Sequence, residues 1–147
     1  MRQVTLCALL LLFISAWSIG QMSNASAVAS AVQSRVSGVV KKITARQLEG
    51  FISSGSPVTI IDVRLPKHYE SSQTKIKGAI RITPSDLAWR LNEIPRHKQV
   101  VLYCACPDEA TSLRLGERLK EGGYKDVSVL KGGWDAWVQN GGQQTQK

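Results

Sequence analysis

The run Val58 to Val63 (VTIIDV) is nearly all apolar and β-branched. A strand of this kind has no face to give to water, so it belongs inside a sheet that is covered on both sides. A second apolar run, Val100 to Tyr103, asks for the same place. Helical signals alternate with these strands. Thr44-Ala45-Arg46-Gln47 is a capping box, with Leu48, Phe51 and Ile52 on one face and Gly55 as the stop. Ala79 to Ile82 reads as a short strand. Thr83-Pro84-Ser85-Asp86 then predicts a helix with Leu87, Leu91 and Ile94 toward the core. Leu113 to Leu119 lies in a further helix that Gly122-Gly123 ends. Val127 to Leu130 is the next strand, and Gly132-Gly133 turns into a last short helix carrying Trp134 and Trp137. Strand–helix alternation of this kind predicts a three-layer α/β/α domain on a central, mostly parallel sheet.

The ends of the chain read differently. Arg2 precedes an apolar core from Val4 to Ile14, and the small-residue triplets Ala25-Ser26-Ala27 and Ala27-Val28-Ala29 follow. That is the layout of a secretory signal peptide, assigned to residues 1–27. Export to the periplasm is the expectation. The alternative is an uncleaved membrane anchor over residues 4–19, whose apolar run is short against the roughly 20 residues of a membrane span. Residues 28–41 are expected to be a linker, 42–140 the folded domain, and 141–147 a disordered tail.

The net charge is +8, but Lys and Arg are dispersed, with no run longer than Lys41-Lys42. A nucleic-acid face would cluster them among aromatics, so nucleic-acid binding is not expected. A monomer is expected. There is no Gly-rich phosphate loop and hence no cofactor motif. Cys-x-Cys alone lacks the four ligands of a structural zinc, so no metal is expected.

Chemistry concentrates between the strand ending at Tyr103 and the helix after it. The stretch Cys104-Ala105-Cys106-Pro107-Asp108-Glu109-Ala110-Thr111 puts two of the three cysteines at the mouth of a helix. There backbone N–H groups converge, and the thiolate form is favoured. Ligands of open α/β sheets sit outside the carboxyl ends of the strands, where Asp62 and Arg64 also fall. Those two are read as an ion pair or hydrogen-bond network supporting the loop. Glu109 is read as a first-turn acid capping the following helix. Asp108 and Glu109 together should repel an anionic donor and raise the thiol pKa.

Ile61-Asp62-Val63-Arg64, Tyr69-Glu70, Ile76-Lys77-Gly78-Ala79, Val101-Leu102-Tyr103-Cys104, Gly122-Gly123-Tyr124 and Gly132-Gly133-Trp134 occur in the order of a single rhodanese domain. The chain resembles that family over about residues 42 to 140. The resemblance implies a sulfurtransferase that takes a sulfane sulfur onto a loop cysteine as a persulfide. Its donor would be thiosulfate, polysulfide or a protein persulfide, and its acceptor a thiol or cyanide. Thr74-Lys75-Ile76-Lys77-Gly78-Ala79 departs from the family's usual Gly-His-Ile-Pro-Gly-Ala segment, and the loop lacks the Arg or Lys of thiosulfate-using members.

Two registers place the reactive thiol. Counted from the strand end, it is Cys104. Counted back from Gly122-Gly123-Tyr124, it is Cys106. The strand end is the better anchor, which makes Cys104 the nucleophile and Cys106 an alternative nucleophile or a resolving thiol. Two other functions fit the acidic loop and paired thiols: a non-catalytic binding module, or a thiol redox protein cycling a Cys104–Cys106 disulfide. A cysteine phosphatase or arsenate reductase would need an Arg six residues after its nucleophile, where this chain has Ala110 or Ser112.

Overall fold

The structure is a computed structural model that describes residues 39–147. The signal-peptide reading of residues 1–27, the anchor alternative and most of the expected linker lie outside these residues. Among the described residues no helix is long and apolar enough to cross a membrane.

The elements run β1 (Lys41–Ile43), α1 (Ala45–Ser53), β2 (Val58–Asp62), α2 (Pro66–Glu70), β3 (Thr74–Ile76) and β4 (Ile80–Arg81). After a long turn segment come β5 (Gln99–Tyr103), α3 (Ala110–Glu121), β6 (Val127–Leu130), α4 (Gly133–Gln139) and β7 (Gln144–Gln146). Five strands form one parallel sheet in the order β1-β6-β5-β2-β4. The two apolar runs, β2 and β5, are neighbours at its centre, with Ile61 opposite Leu102 and Asp62 opposite Tyr103.

Alternation along these strands divides the core. Ile61, Val100, Leu102 and Val129 face Leu115 and Leu119 of α3, together with Leu87 and Ile94. Ile60, Val101, Tyr103 and Leu130 face Leu48 of α1 and Trp137 of α4. The three layers are therefore those the sequence predicts. Because all five strands run in one direction, Asp62, Arg81, Tyr103 and Leu130 finish at the same edge of the sheet.

Three expectations are corrected. The helix predicted from Thr83 is a series of tight turns ending in a 3-10 turn at Leu91–Glu93. Thr83 and Ser85 pair their hydroxyls, Asp86 N–H donates to the Thr83 carbonyl, and Pro95 closes the segment. Short polar side chains here compete for the local bonding a helix would need. Leu87 and Ile94 are nevertheless buried, as the helical reading required.

The chain joins the sheet before residue 42. Val40 is buried, and β1 pairs in parallel with β6, Lys42 opposite Val129. The tail is also ordered. β7 pairs antiparallel with β3, Lys75 opposite Thr145, and the Trp137 indole N–H donates to the Gln143 carbonyl at 3.1 Å. Nothing in Gln144-Thr145-Gln146 carries an apolar alternation, so this strand is set by its partner rather than by its own pattern.

Candidate active site

At the carboxyl end of β5 the chain leaves the sheet through Cys104, which is 1% exposed and part of the core. Its carbonyl accepts the N–H of Trp134 at 2.8 Å. Ala105 and Cys106 are half-buried, and Cys106 packs on the edge of the same core. The two cysteines are joined by a disulfide, their Cα atoms 5.7 Å apart. Pro107 and Asp108 are exposed and, with Glu109, form a 3-10 turn whose first flanking residue is Cys106. Ala110 then opens α3 at the surface, while Thr111 and Ser112 of the first helical turn are buried.

Asp108 and Glu109 both have left-handed backbone, at φ 55° and 56°. Such a conformation costs an L-residue about 1–2 kcal/mol, so the surroundings must hold it. They do so through Glu109. Its carboxylate accepts the N–H of Gly132 at 2.6 Å and forms an ion pair with Lys42 of β1. It makes no side-chain cap to α3, which corrects the capping expectation. The left-handed backbone instead turns this side chain toward β1 and the β6–α4 turn.

Burial pushes the Glu109 carboxyl up, but hydrogen bonds from Lys42 and Gly132 outweigh it and hold the group below its ordinary value. Its charge is thus fixed, and it is matched by Lys42. The repulsion of anions expected from two loop carboxylates is reduced to that of the exposed Asp108.

Asp62 and Arg64 form a buried ion pair at the sheet edge. Both side chains are fully buried and paired at 2.6 Å. Arg64 Nε donates to both carboxylate oxygens at 3.0 Å, and Nη2 reaches the Thr74 carbonyl at 3.1 Å. Asp62 also accepts the Tyr103 hydroxyl at 2.7 Å. Arg81 Nη1 lies 3.6 Å from the same carboxylate and donates to the Asp62 carbonyl at 3.1 Å. Two guanidiniums therefore share one carboxylate, leaving a net positive charge under the sheet edge. Burial first, and then Asp62, raise the Tyr103 phenol, which stays neutral as a donor.

Trp134 links this network to the loop. Its ring lies 4.5 Å from the Arg64 guanidinium carbon and stacks on Tyr103, while its N–H holds the Cys104 carbonyl. Tyr69 covers Arg64 from another side at 5.0 Å. Gly133 lets α4 approach this closely: any Cβ there would run into the Cys104 carbonyl. The sequence reading missed Lys42, Gly132, Arg81 and Tyr69 as site residues. Lys42 fell at the presumed linker boundary, and an Arg in a two-residue strand carries no local signal. A cleft of about 750 Å³ opens beside Glu109, lined among others by Thr44, Arg46, Lys131 and Asn140; neither cysteine lines it.

An open parallel sheet with a cysteine-bearing loop at its carboxyl edge, leading into a helix, defines the class of an α/β domain. A family model, the rhodanese-like domain, matches residues 44–140, and the chain belongs to that family. It is 30% identical over 103 residues to a sulfurtransferase of Allochromatium vinosum, a match covering 70% of this chain and 92% of the relative. It is 33% identical over 103 residues to a probable adenylyltransferase/sulfurtransferase of Mycobacterium tuberculosis, covering 66% of this chain but 24% of that longer protein. The solution structure of a rhodanese-like domain from Anabaena superimposes with a TM-score of 0.63 at 25% identity, over 74% of this chain and 81% of that one. Sulfur donors and acceptors are the class of partner that the family implies.

Proposed function

We propose that this protein is a sulfurtransferase that carries a sulfane sulfur as a cysteine persulfide on the Cys104–Cys106 loop. The observation that carries the reading is the placement of both thiols at the end of the central strand β5, beside a buried network with one more cation than anion. Positive charge there favours a thiolate and, after transfer, an anionic persulfide.

The disulfide form has no free thiol on the loop, so reduction precedes loading. A loop thiolate then attacks the sulfane sulfur of the donor. With thiosulfate, the S–S bond breaks and sulfite leaves with the electron pair; with polysulfide, a shorter polysulfide leaves. A thiol or cyanide acceptor attacks the outer sulfur and regenerates the thiolate. Cys106 is the more accessible of the two residues, and we assign it, the alternative nucleophile of the sequence reading, the entry role in place of Cys104, which lies in the core. Export to the periplasm through the N-terminal leader is part of the proposal, and it sets the chemistry in a compartment where thiols oxidise.

The bonded cysteines favour one second reading, a thiol redox carrier without sulfur transfer. Intact-mass measurement of the reduced chain after thiosulfate, and separately polysulfide, tests both. A gain of one sulfur mass that cyanide removes as thiocyanate supports the sulfurtransferase. Failure of folded, reduced protein to gain sulfur from either donor overturns it. A measurable dithiol potential would then favour the redox carrier, and its lack the binding module.

A further inference from the structure

We infer that Cys104 is a resolving thiol, so that the protein can release its bound sulfur as hydrosulfide without an external acceptor. This rests on the persulfide reading above and goes one step past it. In the structure the two sulfurs are bonded, across a Cα–Cα distance of 5.7 Å that lies in the ordinary range for a disulfide. The backbone therefore already has the shape in which Cys104 reaches the sulfur of Cys106, and no rearrangement of the strand end is needed.

The two thiols are also ordered in depth. Cys104 is 1% exposed and sits in the core at the end of β5, its carbonyl fixed by Trp134. Cys106 is half-buried one step further out, where the chain turns into Pro107–Glu109. A donor arriving from solvent meets Cys106 first. Displacement at Cys106 Sγ requires the outer sulfur to leave on the side away from Cys104, the in-line arrangement of a thiol–disulfide exchange, and Cys106 is the residue of the two that lies toward solvent.

The step balances as follows. The Cys104 sulfur attacks Cys106 Sγ, forming the Cys104–Cys106 bond. The bond from Cys106 Sγ to the outer sulfur breaks, and that sulfur leaves with the electron pair. The proton lost by the Cys104 thiol goes to the departing sulfur, which leaves as hydrosulfide. The Cys104 sulfur is oxidised, the outer sulfur is reduced, and Cys106 Sγ is unchanged in oxidation state. The product is the disulfide form seen in the structure, and an external dithiol reductant returns it to the dithiol. An external thiol or cyanide competes with Cys104 for the persulfide, so the two fates are set by acceptor supply.

The test uses the full chain carrying Cys7→Ser, reduced and freed of reductant, and given one equivalent of glutathione persulfide. Transfer of its outer sulfur releases glutathione, not sulfide, so hydrosulfide reports resolution. The expected course is a transient gain of one sulfur mass, then a species two hydrogens lighter than the dithiol, with one hydrosulfide per chain. With the released glutathione removed, Cys104→Ser is expected to stop at the persulfide and to lose hydrosulfide release until excess external thiol is added. A second variant, Cys104→Ala, guards against an effect of the serine hydroxyl and should behave alike. A persulfide that persists in the Cys7→Ser chain with no hydrosulfide overturns the resolving role and leaves sulfur transfer standing. Glutathione itself trapped on Cys104→Ser would also overturn it, because hydrosulfide would then have left the donor directly. No sulfur on any of the chains overturns the persulfide reading itself.

Discussion

Glu109 accepts the N–H of Gly132 at 2.6 Å, tying the thiol loop to the turn that opens α4. The same carboxylate pairs with Lys42 on the edge strand β1. One side chain thus joins three segments that are far apart in sequence, and it does so from a left-handed backbone position that nothing local favours.

Glu109→Gln should therefore loosen the loop and lower stability by about 1–3 kcal/mol, the usual cost of weakening a buried charge-assisted bond. The effect has a defined pH dependence. The folded carboxyl lies below the ordinary value of 4.5, so its contribution is complete above that value and is lost as pH falls through the folded value. Urea unfolding should show wild type and variant well separated at neutral pH and converging in acid. A gap that persists unchanged below the folded value would mean that the charge of Glu109 does not matter.

Arg64→Ala should be far more costly. It strips a fully buried carboxylate of its bidentate partner, which typically costs about 3–5 kcal/mol. Tyr103→Phe removes one donor to Asp62 and the acceptor for Ile76 N–H, and should cost about 1 kcal/mol. Because both act on Asp62, the double variant should lose less than the sum of the two. Denaturant unfolding of the four chains measures that coupling, and strict additivity would show that the network does not act as a unit.

Which parts of this protein could be read in advance follows from the range of the forces involved. VTIIDV and the run ending at Tyr103 are governed by burial on both faces, which leaves an unbroken apolar run in the sequence; both emerged as central strands. The Thr44–Gln47 capping box is a contact three residues long and was legible for the same reason. Asp62 and Arg64 are two residues apart and were read as a pair. The contacts between Lys42 and Glu109, and between β3 and β7, span 67 residues or more and leave no local trace. The false helix after Thr83 shows the converse: its capping signal and apolar spacing were present, yet the segment buries Leu87 and Ile94 with turns and one 3-10 turn between them rather than an α-helix.

The short strand β7 offers a direct check of that non-local order. Ending the chain after Gly141 removes the partner of β3 and the carbonyl that accepts the Trp137 indole. Trp137 and Ile76 are buried beneath this edge. Full exposure of a side chain of this size costs about 1.5–3 kcal/mol, so uncovering part of either should cost about 1 kcal/mol. Hydrogen exchange should show faster amides in β3 with β5 unaffected. Unchanged exchange in β3 would mean that β7 contributes nothing to holding it.

Gly133→Ala tests the coupling between α4 and the thiol loop. A Cβ at this residue meets the Cys104 carbonyl, and the backbone φ of 52° adds strain for any L side chain. Relief requires α4 to withdraw, which breaks the Trp134 N–H bond to Cys104 and lifts the indole from the Arg64 guanidinium. The expected loss of stability is about 1–3 kcal/mol, from strain and one hydrogen bond. The informative readout is the reactivity of the reduced pair toward a small alkylating agent. In wild type Cys106 should be modified well before the buried Cys104. In the variant the strand end is released and the two rates should approach one another. If Cys104 stays as protected as before while stability falls, the contact serves only packing and the loop is held by Glu109 alone.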